Sequence, residues 1–335
     1  MFKFVLPLAA VLMISACGGA AVVGPADGGT DGGTGGGTDG GIDSDSTLPP
    51  GTASPSPRSK IVRYEAKDDN GNGYATGFTY NRADDTFLVD NLAFDGANTP
   101  YTRGTAVGSL GRFAVYEGPQ LYPDDATGVP IGQFTHRALY GVSDSGQVEL
   151  AIVRTGSYVN YGFGGFIYQR NGRVTLPTTG QAAYSGEYAA LRDFEGRAGL
   201  EYARGDMTMA IDFEDFNNGN AVRGYVENRR VYDIDGNDIT SEILTAMGSG
   251  VTVLPTLTFD VGPGVMTANG EISGQAHSFT TGAGGAISAF EEGNYYAIIS
   301  GDNAEEVVGI IVATSDDPRG AFTTRETGGF LLTRR

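Results

Sequence analysis

The 335-residue sequence predicts an all-β protein built around a small antiparallel barrel. Short runs of β-branched and aromatic residues alternate with Gly, Asn and Asp punctuation, and almost nothing follows helical periodicity. The composition holds 53 Gly, 17 Tyr and 17 Phe without a single Trp. Glycines let strands bend hard at barrel corners while aromatic side chains fill the interior. Closing the sheet also removes the exposed edges that a strand-rich chain must otherwise protect.

The chain begins with Met1-Phe2-Lys3 and an apolar run from Phe4 to Ile14 broken by Pro7. This reads as a signal peptide over residues 1–16, too short for a membrane span. It ends in Ile14-Ser15-Ala16-Cys17, an aliphatic and two small residues before the chain's one cysteine. Cys17 is therefore the expected lipidation site, which leaves no thiol for a disulfide or a cysteine metal site. The lipid would hold the chain on a membrane. Gly18 stands where Asp would favour inner-membrane retention, so an outer-membrane lipoprotein is expected, facing either the periplasm or the cell surface. Residues 17–59 form the lipidated cysteine and a Gly-, Asp-, Thr- and Pro-rich stretch containing GGTDGGTGGGTDGG. Such a segment buries no apolar face and reads as a flexible tether.

From Lys60 onward strand patterns take over. Residues 60–175 form a β-rich unit with irregular strands and long loops such as Glu117 to Pro130, and a division falls near Gly172 to Gly180. Residues 176–335 are denser in hairpins. Met207, Met209, Ile211 and Phe213 share one period-2 phase, the Asp215–Asn220 stretch turns, and Val222, Gly224 and Val226 start the return. A helix is expected at Thr240 to Met247, with Thr240 as its cap and Gly248 as its stop. Leu257, Phe259 and Val261 alternate again, and Pro263-Gly264 turns into Val265 to Ile272. The last strand sets Phe330 and Leu332 in one phase and Leu331 and Thr333 in the other.

Two stretches of this second half carry a family pattern. One is Leu176-Pro177-Thr178-Thr179-Gly180-Gln181-Ala182-Ala183-Tyr184-Ser185-Gly186-Glu187-Tyr188; the other is Gly301-Asp302-Asn303-Ala304-Glu305-Glu306-Val307-Val308-Gly309. Together they resemble the barrel domain of the transferrin-binding protein B family, over about Leu176 to Arg335. Val308 departs from it where a second glycine is usual, and Ser300 where an aromatic-glycine-proline approach is commoner. The resemblance implies an eight-stranded antiparallel barrel preceded by a smaller β-rich handle domain, on a surface lipoprotein that captures a protein, iron or haem ligand through variable loops. No ligand residue is carried over from it. Gly301 and Gly309 are expected to allow tight backbone, and Asn303 to hold a turn through its side chain.

Candidate binding residues lie in SYVNYGFGGFIYQR, where Tyr158, Tyr161, Phe163 and Phe166 cluster with Tyr168. An aromatic Gly-rich loop stacks on a flat ligand or forms a protein hot spot, and an interior-facing hairpin would read the same way. Tyr295 and Tyr296 are expected to split, one inside the barrel and one outside. His136 and His277 stand singly, as structural histidines do, so haem has no specific motif behind it. Asp68–Gly73 and Asp233–Asp238 invite a calcium reading. The second starts like an EF-hand loop but puts Asp238 at the invariant Gly and Leu244 at the bidentate Glu, so turn chemistry is preferred in both. No metal site and no cofactor are assigned.

A net charge of −18 excludes nucleic acid as a partner. No nucleophile elbow is present, and Asp and Glu pairs are plentiful without a spacing that places a catalytic pair, so no enzyme activity is expected and a glycan hydrolase stays a third choice. The sequence thus describes a lipid-anchored binding lipoprotein for a protein or iron/haem-type ligand. The alternatives are a structural or adhesive envelope protein and, third, an envelope glycan hydrolase.

Overall fold

The computed structural model describes residues 47–335 apart from 91, 93–94, 96–98, 125, 215–220, 261–264 and 283–284. The signal segment, Cys17, the tether up to residue 46, the Asp215–Asn220 turn and the Pro263-Gly264 turn lie outside the described residues.

The first half forms a sheet of short strands: β1 (Ile61–Tyr64), β2 (Phe78–Asn81), β3 (Thr86–Val89), β4 (Tyr101–Arg103), β5 (Ser109–Leu110) and β6 (Phe113–Glu117). A separate two-stranded ribbon follows, β7 (Leu121–Pro123) and β8 (Pro130–Gly132). Then come β9 (His136–Val142), β10 (Val148–Thr155) and β11 (Gly164–Arg170). The sheet runs β1-β11-β10-β9-β6-β4-β3-β2, with β5 beside β6, and every pairing is antiparallel.

The second half closes into an eight-stranded antiparallel barrel: β12 (Gln181–Glu195), β13 (Glu201–Asp212), β14 (Val222–Tyr232), β15 (Leu257–Phe259), β16 (Glu271–Thr281), β17 (Ile287–Ser300), β18 (Glu306–Asp316) and β19 (Thr323–Arg334). The closing pair is β12 with β19, from Tyr184 opposite Arg334 to Glu195 opposite Thr323. The fold is therefore all-β, a closed barrel preceded by a smaller β-rich sheet.

Three apolar clusters hold it together. The barrel interior contains Met207, Met209, Ile211 and Phe213, the alternating set of the sequence, packed with Tyr295, Phe259 and Phe330. Tyr295 and Phe259 stack face to face at 3.6 Å between ring centroids. A second cluster lies between sheet and barrel, where Leu150, Ile152 and Phe166 meet Leu331, Val308 and Ile310. That burial explains β19: Phe330 and Leu332 face the barrel interior while Leu331 faces the sheet, so both phases are apolar. Tyr296 turns outward as Tyr295 turns inward, and the sheet partly covers it. The third cluster, Phe87, Tyr101, Tyr116 and Tyr140, lines the sheet's far side.

A buried ion pair of the sheet also reaches the barrel through a hydrogen bond. Arg154 is fully buried and donates to both oxygens of Glu65 at 2.7 and 2.8 Å and to the Thr327 hydroxyl at 3.1 Å. Burial would raise the Glu65 carboxyl, but the Arg154 charge and hydrogen bonds outweigh it and hold it below its ordinary range. Removing one partner of such a pair costs about 3–5 kcal/mol.

Three expectations change. The flexible tether was placed up to Ser59, yet residues 47–59 lie along β1. Thr52 N–H donates to Val62 O at 3.0 Å, Tyr64 N–H to Pro50 O at 3.1 Å, and the Arg63 guanidinium to Pro49 O at 3.2 Å. Pro49, Pro50 and Thr52 thus cover the edge of β1, which no other strand among the described residues pairs. The helix spans Thr240–Met247 (α1) and stops at Gly248, but its cap is Ile239. The Thr240 hydroxyl is taken instead by Val231 N–H at 2.9 Å. The Gly301 turn is tied by the Glu305 carboxylate accepting Asn303 N–H at 3.0 Å, not by the Asn303 side chain. Gly309 behaves as expected: a Cβ there would strike the Phe330 ring.

Candidate functional site

The Gly156–Phe163 loop joins β10 to β11 and lies against one rim of the barrel. Tyr161 N–H donates to Phe194 O at 2.8 Å, Gly196 N–H to Val159 O at 2.7 Å, and Gly162 N–H to the Asp193 carboxylate at 2.8 Å. Tyr161 adopts φ +55°, a strained left-handed conformation for a non-glycine residue. The Arg325 guanidinium lies 4.5 Å from its ring and also grips Asp193 at 2.5 and 2.9 Å. The loop is thus bolted to the barrel by a buried pair.

Its aromatic side chains form one cluster. Phe163 meets Tyr158 at 5.5 Å, Tyr74 at 5.9 Å and Phe134 at 6.3 Å between centroids. Tyr158 and Val159 remain 38% and 52% exposed. Fixed apolar side chains facing water form the cheapest kind of contact surface, because binding orders them no further.

The structure separates the four aromatic candidates. Tyr158 presents its ring to solvent, Phe163 anchors it, and Tyr161 packs under Arg325. Phe166 is 3% exposed and faces the barrel, stacked on Tyr296 at 6.1 Å. It belongs to the seam, with Tyr168, and its place as a direct ligand contact is corrected accordingly. The apolar run looked alike whether a ligand or the barrel covers it.

More of the surface lies at the same rim. The β7–β8 ribbon leaves β6 beside this loop, with Leu121, Val129 and Ile131 exposed. Its tip is set by the Asp124 carboxylate, which accepts the N–H groups of Ala126 and Thr127 and the Thr127 hydroxyl. On the barrel side, Phe279 and Ile287 stand exposed where β16 turns into β17, and Val253 stands on the connection from α1 to β15. All large exposed apolar side chains among the described residues except Val142 sit on strand ends or connections at this rim. The sequence reading found the Tyr158 loop and missed the ribbon. The ribbon's signal is Leu121-Tyr122-Pro123 and Val129-Pro130-Ile131 flanking an acidic turn, too short to stand out as strands.

The two histidines lie apart. His136 is fully buried at the start of β9; its Nδ1 lies 3.1 Å from Phe134 O, and burial pushes the imidazole down to about 4. His277 on β16 pairs with Asp260 and packs edge-on to Phe279 at 4.7 Å. That pairing spans 17 positions and had no local signal.

The acidic turns share one geometry. Asp68 accepts N–H bonds from Asn70 and Asn72 and from the Asn72 amide; Asp233 accepts the same set from Asp235 and Asn237. Gly71 and Gly236 supply the left-handed φ of +98° and +87°. Both carboxylates are used as staples of the turn, which is the turn chemistry preferred from the sequence.

No family model matches the chain, and no curated protein does. Among solved structures it is similar to a double mutant of transferrin-binding protein B from Haemophilus parasuis Hp5, at 12% identity and a TM-score of 0.38, over 82% of this chain and 46% of that one. The intact two-lobed Ap-TbpB gives 12% and 0.37 over 82% and 46%. A surface lipoprotein gives 14% and 0.31, over 58% of this chain and 80% of that one. This chain spans less than half the length of the transferrin-binding protein B structures, and the likeness is one of β-barrel architecture, with function left to the site itself.

Proposed function

We propose that the protein is a lipid-anchored envelope lipoprotein that binds a protein or iron/haem-type ligand through the rim built by the Tyr158 loop, the β7–β8 ribbon and the β16–β17 turn. The observation that carries the reading is the placing of nearly all exposed large apolar side chains among the described residues on that rim, with the Tyr158 loop tied to the barrel through Val159 and Tyr161. Large apolar side chains exposed at one end of a strongly acidic chain mark an interaction surface. The lipobox around Cys17 supports anchoring, and the absence of a retention Asp at position 18 supports the outer membrane. The protein acts by binding rather than catalysis, in keeping with the transferrin-binding name of the structures it resembles.

The test is a binding titration of the full chain against serum-type iron proteins and against haem. A saturable partner that is lost on Val159→Asp or Ile131→Asp, with folding intact, is the expected result. A Soret band on adding haem would assign the ligand to haem. Binding indifferent to both substitutions, or none at all, would return the weight to a structural envelope role. Protease shaving of intact cells checks display: full protection of the module would count against an outward-facing position.

A further inference from the structure

We propose a second, separate binding site, for an acidic saccharide, in a cleft of the N-terminal sheet. The site is an open cleft of ≈ 590 Å³ reaching from β2 to the β9–β10 turn, with one end against the barrel, where the Ser143 and Ser145 hydroxyls donate to Glu306 at 2.8 and 2.7 Å and Arg112 N–H donates to Glu187 at 2.6 Å. That size falls within the range of about 300–1,000 Å³ usual for small-ligand sites.

Part of the chain's positive charge is withdrawn from the surface. The chain carries a net −18, and Arg63, Arg137, Arg154, Arg170, Arg192, Arg229 and Arg325 are all buried in the seam or barrel. Against that background Arg82, Arg103 and Arg112 converge on one cleft whose lining includes a single carboxylate, Asp144. The three arginines are not equivalent. Arg103 is spent on positioning: it forks onto Asp85 at 2.8 and 3.0 Å, donates to Gly108 O at 3.2 Å and lies 4.7 Å over the Tyr116 ring. Arg112 holds Asp144 at 2.9 Å, but that carboxylate is 97% exposed, and a surface pair of this kind is easily exchanged for another anion. Arg82 is exposed and has no ion pair among the described residues.

The wall between them is aromatic. The half-buried Tyr80 ring packs on Tyr140 at 5.1 Å and Tyr116 at 6.2 Å. The Tyr80 and Tyr116 hydroxyls are drawn off to Asp85, which fixes the rings and leaves the Tyr80 face to the cleft. The exposed Ser109 adds a hydroxyl to the lining. Guanidinium forks suit a carboxylate or sulfate, an aromatic face suits the C–H side of a sugar ring, and a hydroxyl suits its polar edge. The cleft has no enclosed apolar slot of the kind a hydrophobic or flat aromatic ligand needs. A sugar ring bearing an anionic group satisfies all three features at once.

The experiment is calorimetric titration of the full chain at low salt with a sulfated heparin-derived tetrasaccharide, a trigalacturonate, neutral maltotetraose and inorganic sulfate. Saturable binding of one or both acidic oligosaccharides is expected, weakened about tenfold or more by Arg82→Ala or Arg112→Ala. Maltotetraose and sulfate should not saturate, and Arg173→Ala, which removes a cation elsewhere on the surface, should leave affinity unchanged. The two acidic arms separate sulfate from carboxylate recognition. The proposal is overturned if neither acidic oligosaccharide binds, if the Arg82 and Arg112 variants bind as the parent does, if Arg173→Ala weakens binding equally, or if sulfate alone saturates the site. Both substituted arginines are exposed, so a thermal melt matching the parent is the expected control.

Discussion

Tyr184 donates its phenolic hydrogen to the carbonyl of Ala304 at 2.7 Å, 120 residues further along the chain. The contact joins the two motifs that carry the family resemblance, one opening β12 and the other turning into β18. Around it, Thr175 N–H reaches Gly301 O at 2.9 Å and Arg335 N–H reaches Ala183 O at 2.9 Å. The motifs look separate in sequence because barrel closure brings the first strand beside the last. Ala304 itself sits at φ +53° and is fully buried, so its carbonyl has little room to find another donor.

Tyr184→Phe therefore leaves a buried carbonyl short of its hydroxyl donor while the ring stays in place. We expect a loss of about 1–3 kcal/mol in denaturant unfolding. A loss under about 0.5 kcal/mol would show that the closure does not depend on this bond.

Gly328 faces the Tyr188 ring inside the barrel wall, and a Cβ there would overlap the phenol. Tyr188 cannot move away easily, because its hydroxyl donates to Glu326 at 2.8 Å within a buried pair with Arg229. Gly328→Ala should cost about 1–3 kcal/mol by overpacking. A thermal melt equal to the parent's would mean that the barrel wall yields at this point.

Much of the barrel was legible in the sequence because its strands alternate against one continuous interior. Met207, Met209 and Ile211 needed only their period of two. Leu331 was harder: its outward phase is apolar because the sheet, far off in sequence, covers it. The same distant cover hid the role of Phe166, which read as a loop aromatic and packs in the seam. Asp193 and Arg325, which fix the Tyr158 loop, are 132 positions apart and carry no local pattern. The Asp-rich turns were legible because Asx geometry is written in adjacent residues.

Asp317 gives an acid limb to stability. Burial would raise its carboxyl, but hydrogen bonds from the Arg319 guanidinium and backbone and from the Thr324 hydroxyl bring it down to about 2. The folded value lies below the unfolded one, so the stabilisation is fully present above about pH 4 and is lost as pH falls toward 2. It amounts to about 2 kcal/mol. Asp317→Asn should lower stability at neutral pH and flatten the melt profile between pH 4 and 2. An unchanged profile would assign the acid limb elsewhere.

His136 and Asp95 should pull the sheet in opposite directions. Burial lowers the His136 imidazole to about 4, so the unfolded chain takes up the proton first. Stability is full above about pH 6.5 and falls toward pH 4, by roughly 3 kcal/mol. Asp95 is raised to about 6 by burial, a rise its bond from Tyr101 only partly offsets. Its folded state holds a proton that the unfolded state releases, so its contribution is present near pH 4 and lost as pH rises through 6. His136→Phe should expose the Asp95 slope alone, with stability falling as pH rises from 4 to 6. A His136→Phe protein that still gains stability over that interval would show that His136 does not set the parent's slope.

The rim predicts a separation of binding from stability. Tyr158 and Val159 reach solvent, but the loop beneath them is held by Asp193, Arg325 and the Phe194 carbonyl. Tyr158→Ala removes contact surface and leaves those bonds, so folding should change by under about 0.5 kcal/mol, as at other exposed positions. If Tyr158 anchors the partner, affinity should fall by about 2 kcal/mol, the mark of a hot spot. Asp193→Asn acts the other way: it keeps the exposed ring but takes the charge from Arg325 and loosens the loop. Its effect should appear as faster hydrogen exchange at Tyr161 and Gly162, with affinity reduced through preorganisation rather than lost contact. Affinity equal to the parent's in both variants would place the partner's footprint on the ribbon or the β16–β17 turn, because the Tyr158 loop would then contribute neither surface nor shape.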